Sequence, residues 1–255
     1  MKLVHYIPYG KQYNRYSIVN APYTQELLQK CPEYAYHSNI FEFIYELISD
    51  TDRDVETSII LGAVAAQKIT DYINKEKYTE IPDLLTALKS ELRSASIIES
   101  IDKIKPVPEI RIGVQARIFD AVTDSTYMTD KVKSGMLNIS VFEKGFANYQ
   151  KVFSGRTFAY RNLVLNTLID IGFPFACQKY SVFEYYCYFT AVVSFVKLIS
   201  ALIFKDSTEY EHEYKLAIAK LYRKMAHNLS SAPKTMKILK EYNCKSPAYL
   251  AVIIK

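Results

Sequence analysis

The sequence predicts an all-α protein: an irregular helical bundle of about eight to ten helices with one long buried helix at its centre. Three observations point there. Glycine and proline are scarce, at 7 and 9 in 255 residues. Sheet folds need many tight turns, and tight turns draw on these residues. Apolar residues recur every three or four positions over most of the chain, the spacing of a helix face. The stretch from Tyr185 to Phe204 is almost unbroken apolar or small, as in a helix covered on every side.

Taken in order, residues 1–22 read as an extended entry, with turns at Pro8-Tyr9-Gly10 and Ala21-Pro22. A short helix from Thr24 to about Lys30 is broken by Pro32. Ser38 or Asn39 can cap the next, in which Ile40, Phe41, Ile44, Leu47 and Ile48 keep helical spacing. Asp52 or Asp54 starts a longer helix to about Asn74, where Gly62, Ala63, Ala65 and Ala66 permit close packing. Pro82 opens a fourth, followed by Leu84, Leu85, Leu88 and Leu92. Lys105-Pro-Val-Pro108 is the candidate boundary. A helix through Ile110–Ala121 follows, and residues 123–155, with glycines at 135, 145 and 155, show no clear period.

From Thr157 the pattern returns through Tyr160, Leu163, Val164, Leu168 and Ile171, ending at Gly172-Phe173-Pro174. Ser181 and Glu184 form a capping box at the head of the long apolar helix. That helix is long enough to span a membrane. Lys197, Thr190, Ser194 and Ser200 within it favour instead a buried core helix. Further helices run from Thr208 to about Asn228 and from Lys234 to Asn243. The organisation expected is a tyrosine-rich segment over 1–37, a three-helix subdomain over 38–105, and a C-terminal bundle over 106–255 packed as one unit.

Composition limits the function classes. With 49% hydrophobic and 23% charged residues the chain is globular and not disordered. Net charge is +5, from 32 basic and 27 acidic residues, with the signs interspersed and no run to mark a nucleic-acid surface. The chain has 22 Tyr and no Trp. Tyrosine beside lysine can stack on bases, but tyrosines half-buried at helix interfaces are the simpler reading. Cys31, Cys177, Cys187 and Cys244 show no metal-ligand spacing, so no metal is expected. The N-terminus lacks an apolar signal core, and unpaired thiols suit a reducing cytoplasm.

No self-declaring active site is visible. The glycines are too dispersed for the phosphate-cradling turn of sheet nucleotide folds. His212 reads as part of an exposed charged face, and Cys177 and Cys187 sit among aromatics where a thiol is usually inert. The polar residues that helical phase places among apolar neighbours are Asn162, Glu184, Lys197, Arg223 and His227. Arg223 and His227 lie four apart and share a face, so Glu184 could join them in one cluster. A network fixing helix register and a ligand site are both open.

Three stretches together resemble the flagellin lysine-N-methylase family. The first is Asn14-Arg-Tyr-Ser-Ile-Val-Asn20 leading to Leu28-Gln-Lys-Cys-Pro-Glu-Tyr-Ala35. The second runs from Asn39-Ile-Phe-Glu-Phe-Ile44 to Tyr78-Thr-Glu-Ile-Pro-Asp-Leu-Leu85. The third comprises Tyr160-Arg-Asn162, Phe173-Pro-Phe175, Ser181-Val-Phe-Glu184 and Arg223-Lys-Met-Ala-His-Asn228. The resemblance implies S-adenosylmethionine-dependent methyl transfer to lysines of flagellin or another protein in the bacterial cytoplasm. Glu184 and His227 are then candidates for proton transfer, and Tyr160, Asn162 and Arg223 for the cofactor. Family members carry an N-terminal cysteine cluster, thought to bind a metal or iron–sulfur centre. No cysteine precedes Cys31 here, so no such centre is expected in this chain. Three readings follow: a short active enzyme, one that works with a separate cysteine-bearing partner, or a non-catalytic helical interaction module derived from that fold. A nucleic-acid-associated helical protein is a weaker fourth.

Overall fold

The computed structural model describes residues 25–105, 107–154, 157–175, 179–227, 231–243 and 246–255, with only the backbone for residues 108, 157 and 221–227. The tyrosine-rich stretch before Gln25, and the chain around Pro106, Gly155, Cys177, Asn228 and Cys244, lie outside the described residues. The described residues contain helices and connecting turns, with no strand among them.

The first helices are α1 (Gln25–Lys30), α2 (His37–Ser49), α3 (Val55–Asn74) and α4 (Ile81–Glu91). Pro32 opens a 3₁₀ turn, Pro32–Tyr36, that feeds directly into α2. Neither Ser38 nor Asn39 therefore caps that helix, because both already lie inside it. Asp54 does cap α3, accepting a 2.7 Å bond from the Thr57 amide. The small-residue stripe of α3 serves close packing, since a methyl group on Gly62 would meet the Tyr186 hydroxyl.

Next come α5 (Ala95–Asp102), α6 (Pro108–Thr123), α7 (Tyr127–Lys133) and α8 (Ile139–Val152), then α9 (Thr157–Asp170). The stretch at 123–155 that lacked a clear period thus holds two helices. In α8, Phe142, Gly145 and Tyr149 are buried, and Gly145 lets the backbone at Ala201 come against it. The chain closes with α10 (Val182–Phe204), α11 (Glu211–His227), α12 (Ser231–Glu241) and α13 (Pro247–Ile254). Among the described residues the helices number thirteen, and α5, α7, α8 and α13, three of them only 8, 7 and 8 residues long, are the additions to those expected.

The long helix α10 is the axis. Helices α3, α6, α8, α9, α11, α12 and α13 all pack against it. It is long and apolar enough to cross a membrane by composition, yet nearly its whole surface is covered by protein. Phe195 and Leu198, in the middle of the helix, are both fully buried. Two of its aliphatic hydroxyls bond within the helix: Thr190 and Ser200 each donate to the carbonyl one turn back, at 3.0 and 2.8 Å. A continuous core of buried side chains runs from Ile40 in α2 to Ile254 in α13.

Candidate functional site

The head of α10 is fixed by several independent bonds. The Ser181 hydroxyl accepts from the Glu184 amide and the Glu184 carboxylate accepts from the Ser181 amide, both at 3.1 Å. The Phe183 amide donates to Thr70 Oγ1 of α3 at 2.9 Å, and the Tyr185 hydroxyl donates to the Ile171 carbonyl at 2.6 Å. These bonds satisfy amides that a helix N-terminus otherwise leaves open. They also hold the Tyr180–Ser181 segment against α3.

Two recesses flank that segment. The first is a cleft of about 60 Å³ bordered by Cys31, Glu33, Tyr34, Phe175, Tyr180 and Ser181. Pro32 turns the chain into its 3₁₀ helix and so brings the residues at 31–34 to this place. The buried Tyr34 ring stacks on Phe175, with centroids 4.6 Å apart and planes 16° from parallel. His37 lies 6.0 Å from the same Phe175 ring, and burial pushes its imidazole below its ordinary pKa. The Tyr78 phenol stands close enough to feel Glu33, Glu76 and Cys31. Loss of hydration and then those negative groups raise its pKa. Glu33 makes no ion pair among the described residues.

The second recess is a shallow groove of about 500 Å³ lined by Tyr180, Pro233, Met236, Lys237, Lys240 and Glu241. Lys240 reaches Glu184 at 3.4 Å, and Glu241 pairs with Arg117 of α6 at 2.5 Å. Tyr180 borders both the groove and the cleft.

The residues singled out in the sequence divide between these places and others. Glu184 is a helix cap whose carboxylate also meets Lys240, at the groove's edge. Tyr160, half-buried on α9, sets its ring edge against Tyr149 at 6.5 Å. Asn162 is half-buried on the same helix, and neither residue borders the cleft or the groove. The side chains of Arg223 and His227 lie outside the described residues, and with them the grouping proposed with Glu184.

Lys197 belongs to a different polar centre. Its ammonium donates to Glu56 and to the Ile254 carbonyl, both at 2.8 Å, and lies 4.8 Å from the Phe146 ring centroid. Burial lowers its pKa, against the pull of Glu56. Arg111, also buried, lies over Phe142 at 4.3 Å and donates to the Lys255 carbonyl. One turn along α6, the Gln115 amide is fully buried and has no hydrogen-bond partner among the described residues. Two interior cations thus hold the carbonyl end of α13. Sequence reading flagged Lys197 but missed Arg111 and Gln115, although both stand among apolar residues of α6.

Sequence reading also missed Glu33, Tyr34, Phe175 and Tyr180 as neighbours. The signal was present only in part: Cys31-Pro-Glu33, Phe173-Pro-Phe175 and Ser181-Val-Phe-Glu184 were noted as separate phrases, and they converge here. Among the described residues no three His, Cys, Asp or Glu side chains gather as metal ligands. The described thiols, Cys31 and the buried Cys187, do not supply an iron–sulfur ligand set.

No curated protein and no solved structure matches the chain. A family model, the FliB lysine N-methylase C-terminal domain, matches residues 41–253. That span covers the bundle from α2 to α13, while Cys31, Glu33 and Tyr34 precede it. With most of its length matched in one continuous run, this helical chain belongs to the FliB lysine N-methylase C-terminal domain family.

Proposed function

We propose that the chain takes part in S-adenosylmethionine-dependent N-methylation of lysine side chains on a flagellin-type protein in the bacterial cytoplasm. Membership of the family supports the reaction class. The observation that carries the reading is the pair of recesses meeting at Tyr180, one open and lysine-lined, the other narrow, aromatic and acidic.

The donor chemistry of the groove fits S-adenosylmethionine. Its volume of about 500 Å³ falls in the range of small-molecule sites. Lys237 and Lys240 would hold the carboxylate of the methionine moiety, and Glu241 its ammonium or ribose hydroxyls. Pro233, Met236 and the Tyr180 ring offer apolar surface to the adenine. When bound, S-adenosylmethionine supplies a methyl group activated by its sulfonium, which leaves as a neutral thioether. The chain's own part is to orient and desolvate. The capping bonds at Ser181 fix the shared wall, so that donor and acceptor are held in one geometry rather than meeting by diffusion.

Binding is tested by thermal unfolding with increasing S-adenosylmethionine. At a hundredfold excess over Kd the linkage amounts to about 2.7 kcal/mol, or roughly 5–10 °C for a chain of this size. Lys237→Glu combined with Lys240→Glu should abolish that shift. Transfer is tested by mass spectrometry of flagellin incubated with both, where each event adds one methyl group to a lysine. No thermal shift and no added methyl would refute the reading in favour of a non-catalytic interaction module on the same fold.

A further inference from the structure

The narrow cleft is chemically lopsided. Tyr34, Phe175 and Tyr180 contribute aromatic carbon, and Glu33 contributes a carboxylate that meets no cation among the described residues. The phenol of Tyr78 stands near that carboxylate and carries no positive charge to offset it. A partly buried anion without a counter-ion is unfavourable when left unsolvated. Aromatic faces attract cations through their quadrupole, most strongly where water is reduced. Both features ask for the same thing, a compact organic cation with apolar carbon behind its charge.

Size narrows the choice. A volume of about 60 Å³ holds roughly four or five water-sized groups, which excludes a nucleoside or an aromatic ring. It suits the last methylenes and the ammonium of a lysine. Arginine would bring a wider planar head with five donors, and Glu33 is the single carboxylate among the residues that border the cleft.

We propose that the cleft between Glu33, Tyr34, Phe175 and Tyr180 receives the ammonium end of a lysine side chain presented by a partner protein. Glu33 pairs with the charge, and the rings cover the methylenes. This rests on the lysine-methylation reading for its biological sense. It places the acceptor lysine in the recess that shares Tyr180 with the lysine-lined groove.

The test uses the full chain and two small probes, Nα-acetyl-lysine methylamide and its uncharged analogue Nα-acetyl-norleucine methylamide. Each is titrated by saturation-transfer NMR without S-adenosylmethionine. The lysine probe is expected to bind about tenfold more tightly than the norleucine probe, the scale of one charge-assisted contact. Glu33→Gln should erase most of that difference, and Phe175→Leu should weaken the lysine probe by roughly threefold. Equal binding of the two probes to the unaltered chain overturns the proposal, whether or not any variant folds. So does an unchanged lysine affinity in Glu33→Gln with native circular dichroism. Lysine discrimination without any thermal response to S-adenosylmethionine keeps the cleft and removes the methylation reading. Methyl transfer with an unchanged KM for flagellin in Glu33→Gln does the reverse.

Discussion

Replacing Gly145 by alanine tests the close contact between α8 and α10. In an isolated helix the change is favourable by about 1 kcal/mol, because alanine loses less backbone entropy than glycine. Here the added methyl group would run into the carbonyl oxygen of Ala201 on α10. A carbonyl in the backbone of a buried helix cannot rotate aside, so α8 would have to move off α10. That displacement disturbs the Tyr149–Phe204 ring contact at 5.9 Å and the 2.9 Å bond from Asn148 to the Phe204 carbonyl. Overpacking of this kind typically costs 1–3 kcal/mol and can exceed it. With the intrinsic gain of about 1 kcal/mol deducted, Gly145→Ala should destabilise by up to about 2 kcal/mol. Gly113 on α6 is the matched control, since nothing lies within 4 Å of the position a methyl group would take. Gly113→Ala should stabilise by about 0.5–1 kcal/mol. Urea unfolding followed by far-ultraviolet circular dichroism reads both, and the midpoints should move in opposite directions. If Gly145→Ala moves with Gly113→Ala, α8 does not lie on α10 at this distance and the packing argument fails.

Other outcomes follow from side chains described above. Phe195→Ala, which empties a fully buried ring site against Phe119, should cost about 3–5 kcal/mol in the same assay. A loss under 1 kcal/mol would mean α10 is not the axis. Arg161 donates to the carbonyls of Ile48, Asp50 and Arg53 at 2.5, 2.5 and 2.6 Å, tying α9 to the end of α2. Arg161→Lys cannot reproduce that fork and should lose about 1.5–3 kcal/mol, whereas stability equal to the parent would show the fork to be dispensable. Lys197 has its pKa lowered by burial, so between that lowered value and the ordinary lysine value the unfolded chain binds the proton more tightly. Its effect is therefore a stability that rises with pH across that window, the full desolvation cost standing below it. Lys197→Met should flatten that rise on the alkaline side, below the ordinary lysine pKa, in urea titrations, and parallel profiles would refute the assignment.

Helices with a strong period and a clear cap could be read from the residues alone. Asp54 before α3 and the Ser181–Glu184 box before α10 mark their starts because one side chain and one amide three residues away suffice to define each. The short helices could not be read so. The helix α13 is apolar nearly throughout and shows no polar face by which to count a turn. In α8 the buried face runs through Phe142, Gly145 and Tyr149, so a glycine stands where an apolar side chain would mark the period. Its glycine answers to a neighbour, Ala201, that lies 56 positions further along the chain. The two recesses were illegible for the same reason. Tyr34 meets Phe175, and Glu184 meets Lys240, through packing of elements that no local window contains.

Tyr180 borders both recesses, so if each takes its proposed ligand the two are linked through one side chain. A side chain that forms part of both walls cannot adjust to an occupant on one side without altering the other. By linkage, whatever factor the groove's ligand imposes on affinity in the cleft, the cleft's ligand must impose equally on the groove. Replacing Tyr180 with a smaller residue would decouple the two, so that each bound its ligand indifferent to its neighbour.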